Sequence, residues 1–371
     1  MRVKLKDITK FSKGTQINGK NLIDDGAYSY LNGGINPSGK WNEFNVAENT
    51  VTISEGGNSS GYVNYMNDAF WCGAHCYYLY DGPKNSKYLY YALKSQQERL
   101  FRIRSGACMP NIKKSDLGNF IIEYEKDEVR QEEVVKVLEK CELLIEDYNK
   151  KLTLLDEAVR ARFVEMFGDP VINSCQFPVQ PMTDICDIID GDRGKNYPKS
   201  EEILDDGYCL FLNAKNVTQK GFDFENCNFI TREKDDALRN GKLSRGDVVL
   251  TTRGTVGNLA YYSKNVPYEN IRINSGMVIL RMNRSILNEI YFIELFKMKL
   301  SDIKEKIASG SAQPQLPIST MNKIILMIPP LELQNQFASF VQEFDKSRSR
   351  IQRSLEASQE LFDSLMQEYF G

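Results

Sequence analysis

The chain has 371 residues, 42% hydrophobic and 26% charged, a balance typical of soluble globular proteins and enough for two or three domains of about 150 residues each. Its longest apolar runs fall far short of the roughly 18 residues a membrane span needs, and no basic-then-apolar leader follows Met1, so a cytoplasmic protein with no membrane partner is expected. The net charge of -3 is an average over +3 for residues 1–125, -3 for 126–168, 0 for 169–328 and -3 for 329–371, which leaves a polyanionic partner open.

His75 is the single histidine, which nearly eliminates imidazole triads and His-ligated metal centres. The eight cysteines form no CxxC pair and read as reduced, packed thiols. Cys72-Gly-Ala-His-Cys76 offers three donors within five residues but has no second half and lies in a strand-like run, so packing is expected there rather than a metal.

In chain order, Leu5-Lys-Asp-Ile8 opens a segment that ends at Gly14, and Asp24-Asp-Gly26 precedes Leu31-Asn32. Short β-branched and aromatic runs at Thr50–Ser54 and Tyr77–Tyr80 predict strands, with a helix over Tyr88–Phe101 and a glycine loop from Ser105 to Pro110. Over 127–167 apolar residues recur every three or four positions: Val134, Leu138, Cys141, Ile145, Tyr148, Leu152, Leu155, Val159, Phe163 and Met166. That spacing predicts one long helix with a single heptad seam, closed by Gly168-Asp-Pro170.

The order then repeats. Met182-Thr-Asp-Ile185 runs to Gly191, Asp205-Asp-Gly207 precedes Leu212-Asn213, and strands are expected at Val248–Thr252 and Met277–Arg281. A helix over Ile290–Ile307, a loop from Ser309 to Pro314 and a second long helix over 331–370, announced by Pro329-Pro330, complete the copy. The second seam holds Leu333, Phe337, Phe340, Phe344, Ile351, Leu355, Phe362, Leu365 and Tyr369. The offset between copies grows from about 177 to 204 residues, so the second carries some 27 extra loop residues.

The expected architecture is therefore α+β: β-rich domains at 1–126 and 169–328, separated by long helices at 127–168 and 329–371. At 1.5 Å per residue each helix would be a rod of roughly 60 Å, and two such seams are most simply buried in an antiparallel coiled coil with a pseudo-two-fold axis. Two diverged heads at fixed separation suit a split, asymmetric site on double-stranded DNA.

The duplicated body-plus-helix plan, Ile328-Pro-Pro-Leu-Glu-Leu-Gln334, the stretch Leu243–Gly254, the two Ser-Gly loops and the endings Phe163–Gly168 and Leu365–Gly371 together resemble the specificity subunits of type I restriction–modification enzymes. The first copy departs in two places: Glu125-Lys126 stands where the second has Pro329-Pro330, and the loop at 54–57 lacks the counterpart of Arg253. The resemblance implies two target recognition domains, each reading half of a bipartite site, with helices that dock two methyltransferase subunits and an assembly that recruits restriction/translocase subunits. S-adenosylmethionine, ATP and magnesium would belong to those partners; no cofactor or metal and no catalytic residue is expected here, since no Asn-Pro-Pro-Tyr-type or phosphate-loop motif occurs. A coiled-coil scaffold with two protein-binding heads is the alternative.

Candidate DNA contacts follow from charge and position. Lys13, Thr15 and Gln16 near the start of the first copy match Arg193 and Lys195 in the second, and Asn32 matches Asn213, with Lys215 and Asn216 beyond. The basic stretch Lys94–Lys114 contributes Arg102, Arg104, Ser105 and Lys113, and its counterpart contributes Lys306, Ser309, Gln313 and Gln315. Arg253 and Thr255 sit in a loop of small and polar residues. Each is also compatible with an ordinary turn or a solvated helix face. Tyr30, Trp41, Phe211 and Tyr261 are read as core rather than stacking platforms, and Leu143, Leu144 and Leu154 lie off the seam on the helix surface.

Overall fold

The structure is a computed structural model that describes residues 1–106, 109–308 and 315–371, with the side chains of 301 and 304–308 outside the described set. The chain divides into two units, one of Met1–Lys151 with Ile351–Gly371, the other of Leu152–Arg350.

In the first unit the strands are β1 (Arg2–Lys4), β2 (Lys10–Lys13), β3 (Tyr28–Leu31), β4 (Gly39–Trp41), β5 (Thr50–Ser54), β6 (Val63–Met66), β7 (Phe70–Cys72), β8 (Cys76–Tyr80) and β9 (Ile121–Glu123). They form an antiparallel sheet in the order β2-β8-β5-β6, a three-stranded sheet β4-β3-β7 and the pair β1-β9. The β3–β7 pairing is parallel, with Tyr30 opposite Trp71. β-Branched and aromatic side chains fit this pleated surface, and Val51 and Ile53 of β5 point into a core with Tyr77 and Leu79 of β8.

Helix α1 (Ser86–Lys94) covers that core, its first turn capped by Asn85, whose side chain accepts from the Tyr88 amide at 2.9 Å. The single helix expected over Tyr88–Phe101 is in fact two, because α2 (Gln97–Arg102) starts anew. Ser95 turns its hydroxyl back to the Ala92 carbonyl (3.0 Å), and Gln97 is drawn to the Val63 amide (3.0 Å) and the Gly61 carbonyl (2.7 Å). Both compete with continuing the helix. Helix α3 (Lys114–Gly118) leads to β9, and α4 (Glu128–Phe167) follows.

The second unit repeats the first unit's three sheets and adds to them. It contains β10 (Val179–Pro181), α5 (Met182–Ile185), β11 (Cys186–Asp190), β12 (Cys209–Leu212), β13 (Val217–Thr218), β14 (Gly221–Phe222), β15 (Phe229–Ile230), α6 (Arg232–Ala237), β16 (Val248–Thr251), β17 (Leu259–Tyr261), β18 (Ile271–Ile273), β19 (Met277–Met282), α7 (Glu289–Ala308), α8 (Ile318–Met321), β20 (Ile325–Met327) and α9 (Leu331–Phe370). The sheet orders are β11-β19-β16-β17, β15-β12-β18 with β12 and β18 parallel, and β10-β20. Among the described residues the β13–β14 hairpin and α6 have no counterpart in the first unit, and they lie within the longer loops foreseen from the sequence.

The long helices occupy Glu128–Phe167 and Leu331–Phe370, within a residue of the expected 127–167 and 331–370. In the first unit Val134, Val135 and Leu138 of α4 join the core together with Met366 and Phe370 of α9. In the second the segments run antiparallel: Asp156 meets Arg348 at 2.6 Å, Arg162 lies over Phe340, and Phe163 and Phe167 meet Phe337. Phe163 also stacks on Tyr291 of α7, with ring centroids 5.6 Å apart.

One polar device recurs where each long helix leaves its body. The fourth residue of α4 is Gln131 and that of α9 is Gln334, and both are buried. Gln131 donates to the Glu125 carbonyl (2.6 Å) and the Tyr124 hydroxyl (3.1 Å). Gln334 donates to the carbonyls of Pro329 (2.8 Å) and Ile286 (3.0 Å) and accepts from the Asn288 amide (2.8 Å). Gln334→Leu leaves the buried Pro329 carbonyl and the half-buried Ile286 carbonyl and Asn288 amide without these partners, at about 1–3 kcal/mol for a buried group and less for the others. Chemical unfolding is expected to record a loss of roughly 3 kcal/mol or more; an unchanged midpoint would show that Gln334 does not hold the helix root.

Candidate nucleic-acid interface

In the first unit, loops from distant parts of the chain meet beyond the end of β5. The Glu55 amide donates to the His75 carbonyl (2.8 Å), the Ile112 amide to the Glu55 carbonyl (2.9 Å) and the Gly57 amide to the Pro110 carbonyl (2.9 Å). Ser105 and Asn111 exchange backbone hydrogen bonds at 2.8 Å, and the Asn32 side chain accepts from the His75 amide at 3.3 Å. Gly14 is required by close approach, since a Cβ there would stand 1.9 Å from the Cys72 carbonyl oxygen.

This frame brings Lys13, Glu55, Lys113 and Lys114 around an open pocket of about 510 Å3, with Ser12 and Tyr77. Lys13 Nζ lies 2.8 Å from one Glu55 oxygen, and His75 Nδ1 lies 3.4 Å from the other. Lys113, Thr15 and Gln16 are exposed. Arg104 is half-buried and braces two loops, donating to the carbonyls of Phe101 (2.7 Å) and Asn58 (3.2 Å). Arg102 is not brought to this pocket; it lines a separate hollow with Arg99, Asp116 and Asn119.

The second unit builds the same frame. The Thr252 amide donates to the Gly276 carbonyl (2.9 Å), and the Leu316 amide to the Thr252 carbonyl (3.0 Å). A β-bridge pairs Arg253 with Gln315. These hydrogen bonds align Thr252 with Glu55, Gly276 with His75, Arg253 with Gly56 and Gln315 with Asn111. Gly191 answers Gly14, as its Cβ would lie 2.2 Å from the Asn274 carbonyl oxygen.

Arg253 and Thr255 are exposed, and the Thr251 hydroxyl donates to the Thr255 carbonyl to fix their loop. Among the described residues the Arg253 guanidinium has no hydrogen-bond or ion-pair partner. Arg193 is held against Asp190 (3.1 Å) and the Ser275 carbonyl (3.2 Å), and Lys195 is exposed beside it. Asn213 is half-buried, and its side chain accepts from the exposed Lys215's amide at 2.9 Å. Asn216 is only 2% exposed, its side chain given to the Asp223 and Asn226 carbonyls and the Asn213 amide, so it sits inside the protein rather than on its surface. Ser309 and Gln313 lie outside the described residues, as does the side chain of Lys306.

Among the residues read as core, Tyr30 and Phe211 are buried, while Trp41 and Tyr261 are half-buried. Cys72 and Cys76 are buried, with the Cys72 thiol donating to the Cys76 carbonyl at 3.4 Å.

Sequence reasoning missed Glu55, Asn111 and Arg239. The first two could have been found by aligning the loops through Ile112 and Leu316. Arg239 depends on Asp192, a buried carboxylate that accepts the Gly194 and Arg239 amides, both at 2.7 Å. Those amides and the Arg239 charge hold the Asp192 carboxyl below its ordinary range. The exposed Arg239 guanidinium is thereby set 3.6 Å from Asp192. The segment carrying it is pinned by Asp235, fully buried against Arg272 at 2.7 Å and paired with Lys242. Burial opposes the Asp235 charge, but hydrogen bonds from Lys242 and Arg272 outweigh it and keep the carboxyl ionised.

Duplicated bodies presenting loop-built, polar surfaces on one backbone frame define a two-site binding protein. A model of the type I restriction modification DNA specificity domain matches residues 1–155 and 177–358, and the chain belongs to that family. A putative type I specificity subunit of Mycoplasma genitalium is 27% identical over 96% of this chain and 90% of its own length. Another, from Mycoplasma pneumoniae, is 25% identical over 99% and 94%. The crystal structure of a type I restriction–modification S subunit from M. genitalium shares the fold, with a TM-score of 0.65 at 22% identity, covering 100% of this chain and 96% of the other.

Burial separates two neighbouring side chains in the second unit. Asn216→Ala is expected to cost about 1–3 kcal/mol in a thermal melt, because a buried side chain that ties together the Asn213 amide and the Asp223 and Asn226 carbonyls is lost. Lys215→Ala should stay within about 0.5 kcal/mol, as an exposed substitution does. Equal effects would refute the distinction.

Proposed function

We propose that this chain is the DNA-reading subunit of a type I restriction–modification assembly, with each unit contacting one half of a bipartite, asymmetric site. The observation that carries this reading is the match of the DNA specificity model to both copies, each with its own solvent-facing surface on a shared backbone frame. In the second unit the exposed Arg253 suits guanine O6 and N7, and Gln315 beside it suits adenine N6 and N7. Lys13, Lys113 and Lys195 suit phosphates, which fix position without carrying sequence.

Recognition is this chain's part, and the chemistry falls to other subunits. Two methyltransferase subunits would use S-adenosylmethionine, and restriction/translocase subunits would use ATP and magnesium. The exposed Leu143, Leu144 and Leu154 on α4 offer apolar area for methyltransferase docking. Among the described residues no helix is long and apolar enough to cross a membrane.

Fluorescence titration of the full chain with random-sequence duplex at several salt concentrations tests this. Affinity is expected to fall linearly on a log–log plot, and Lys113→Ala to reduce the slope by about one. No affinity, or affinity indifferent to salt, would reject DNA reading and favour a protein scaffold.

A further inference from the structure

The shared backbone frame allows the two surfaces to be compared position by position, and one position is chemically inverted. Thr252 of the second unit is 6% exposed and turns its hydroxyl inward to the Gly276 carbonyl at 3.0 Å. Its counterpart Glu55 instead carries a carboxylate into the open pocket that Lys13, Lys113 and Lys114 line. A carboxylate repels phosphate, so it has no use as a backbone contact. What it can accept from duplex DNA is a base amino group.

Resting on the DNA-reading proposal above, we propose that Glu55 is a specificity-determining residue of the first unit, its carboxylate accepting a hydrogen bond from the exocyclic amino group of a base in the major groove, cytosine N4 or adenine N6.

The surroundings prepare it for that task. Lys13 Nζ stands 2.8 Å from Oε1 and His75 Nδ1 stands 3.4 Å from Oε2, fixing the carboxylate plane. The side chain is 14% exposed, so little rotamer freedom is left to lose on binding. Each carboxylate oxygen accepts two hydrogen bonds, and these neighbours occupy one apiece. Lys113 and Lys114 flank the pocket, where phosphates of the same strand could be met while the base edge faces Glu55. The backbone on both sides of the carboxylate is tied down, through the His75 carbonyl and the Ile112 amide.

A purely structural ion pair between β2 and the loop would make a different prediction, since its loss would lower the melting temperature and leave sequence preference alone. The test is selection of bound duplexes from a randomised library by the full-length chain, with sequencing of the bound pool, for the unaltered chain, Glu55→Thr and Glu55→Gln. The unaltered chain is expected to demand cytosine or adenine at one position of one half-site. Glu55→Thr, which installs the second unit's residue, should reduce that preference about tenfold at that position alone. Glu55→Gln, close to isosteric and so a safeguard against misfolding, should move the preference toward adenine, which pairs bidentately with an amide. Variant pools identical at every position to the pool selected by the unaltered chain would overturn the assignment of Glu55 while leaving DNA reading intact. A pool with no preference from the unaltered chain would overturn the DNA-reading proposal itself.

Discussion

Each body depends on how it grips the long helices. In the second unit Phe163 and Phe167 of α4 pack with Phe337 of α9 and Tyr291 of α7 in one fully buried aromatic cluster. In the first unit Phe370 of α9 meets Tyr88, which in turn meets Tyr124, with Val134 and Leu138 of α4 completing the core. Truncating one such ring would cost about 3–5 kcal/mol, a large share of what holds a domain of this size. The buried glutamines Gln131 and Gln334 add direction to that grip, since they fix where the chain turns from strand into helix. The largest core cluster of each body therefore includes side chains of both long helices.

On that base the backbone does one job and the side chains another. Among the described residues, the hydrogen bonds that join the strand end to the strand-to-strand turn and the late loop to the strand end recur in both units, and Gly14 and Gly191 each permit a close approach to the backbone of that turn. Backbone bonding leaves the solvent-facing side chains free to differ. Glu55 faces Thr252, Gly56 faces Arg253 and Asn111 faces Gln315 across the comparison. A carboxylate in one place and a guanidinium near the same place in the other copy favour different base edges. Divergence at constant frame is what an asymmetric target requires.

Much of the fold was legible because its signals are local. The seam of α4 repeats every three or four residues over most of its length, that of α9 does so with interruptions at Ser347 and Ser358, and the strand at Thr50–Ser54 stands out by its β-branched run. The repeat showed itself through short markers near turns. Where the sequence misled, the deciding contact was distant. The break between α1 and α2 depends on Gln97 reaching Val63 and Gly61. Asn216 reads as a polar loop residue until carbonyls seven and ten positions later claim its amide. Arg239 reads as one charge in a mixed run until Asp192, 47 residues earlier, holds its backbone. Glu55 resembled a turn residue because its partners Lys13 and His75 lie 42 and 20 positions away.

The central claim is that the two units read independently, and exchanging a body measures it most directly. Residues 1–125 would be replaced by the matching segment of a specificity subunit from the same family, and the sequence bound by the full chain determined before and after. The account predicts that one half of the recognised site changes and the other is retained. If both halves changed together, or neither did, the two-reader account would be contradicted.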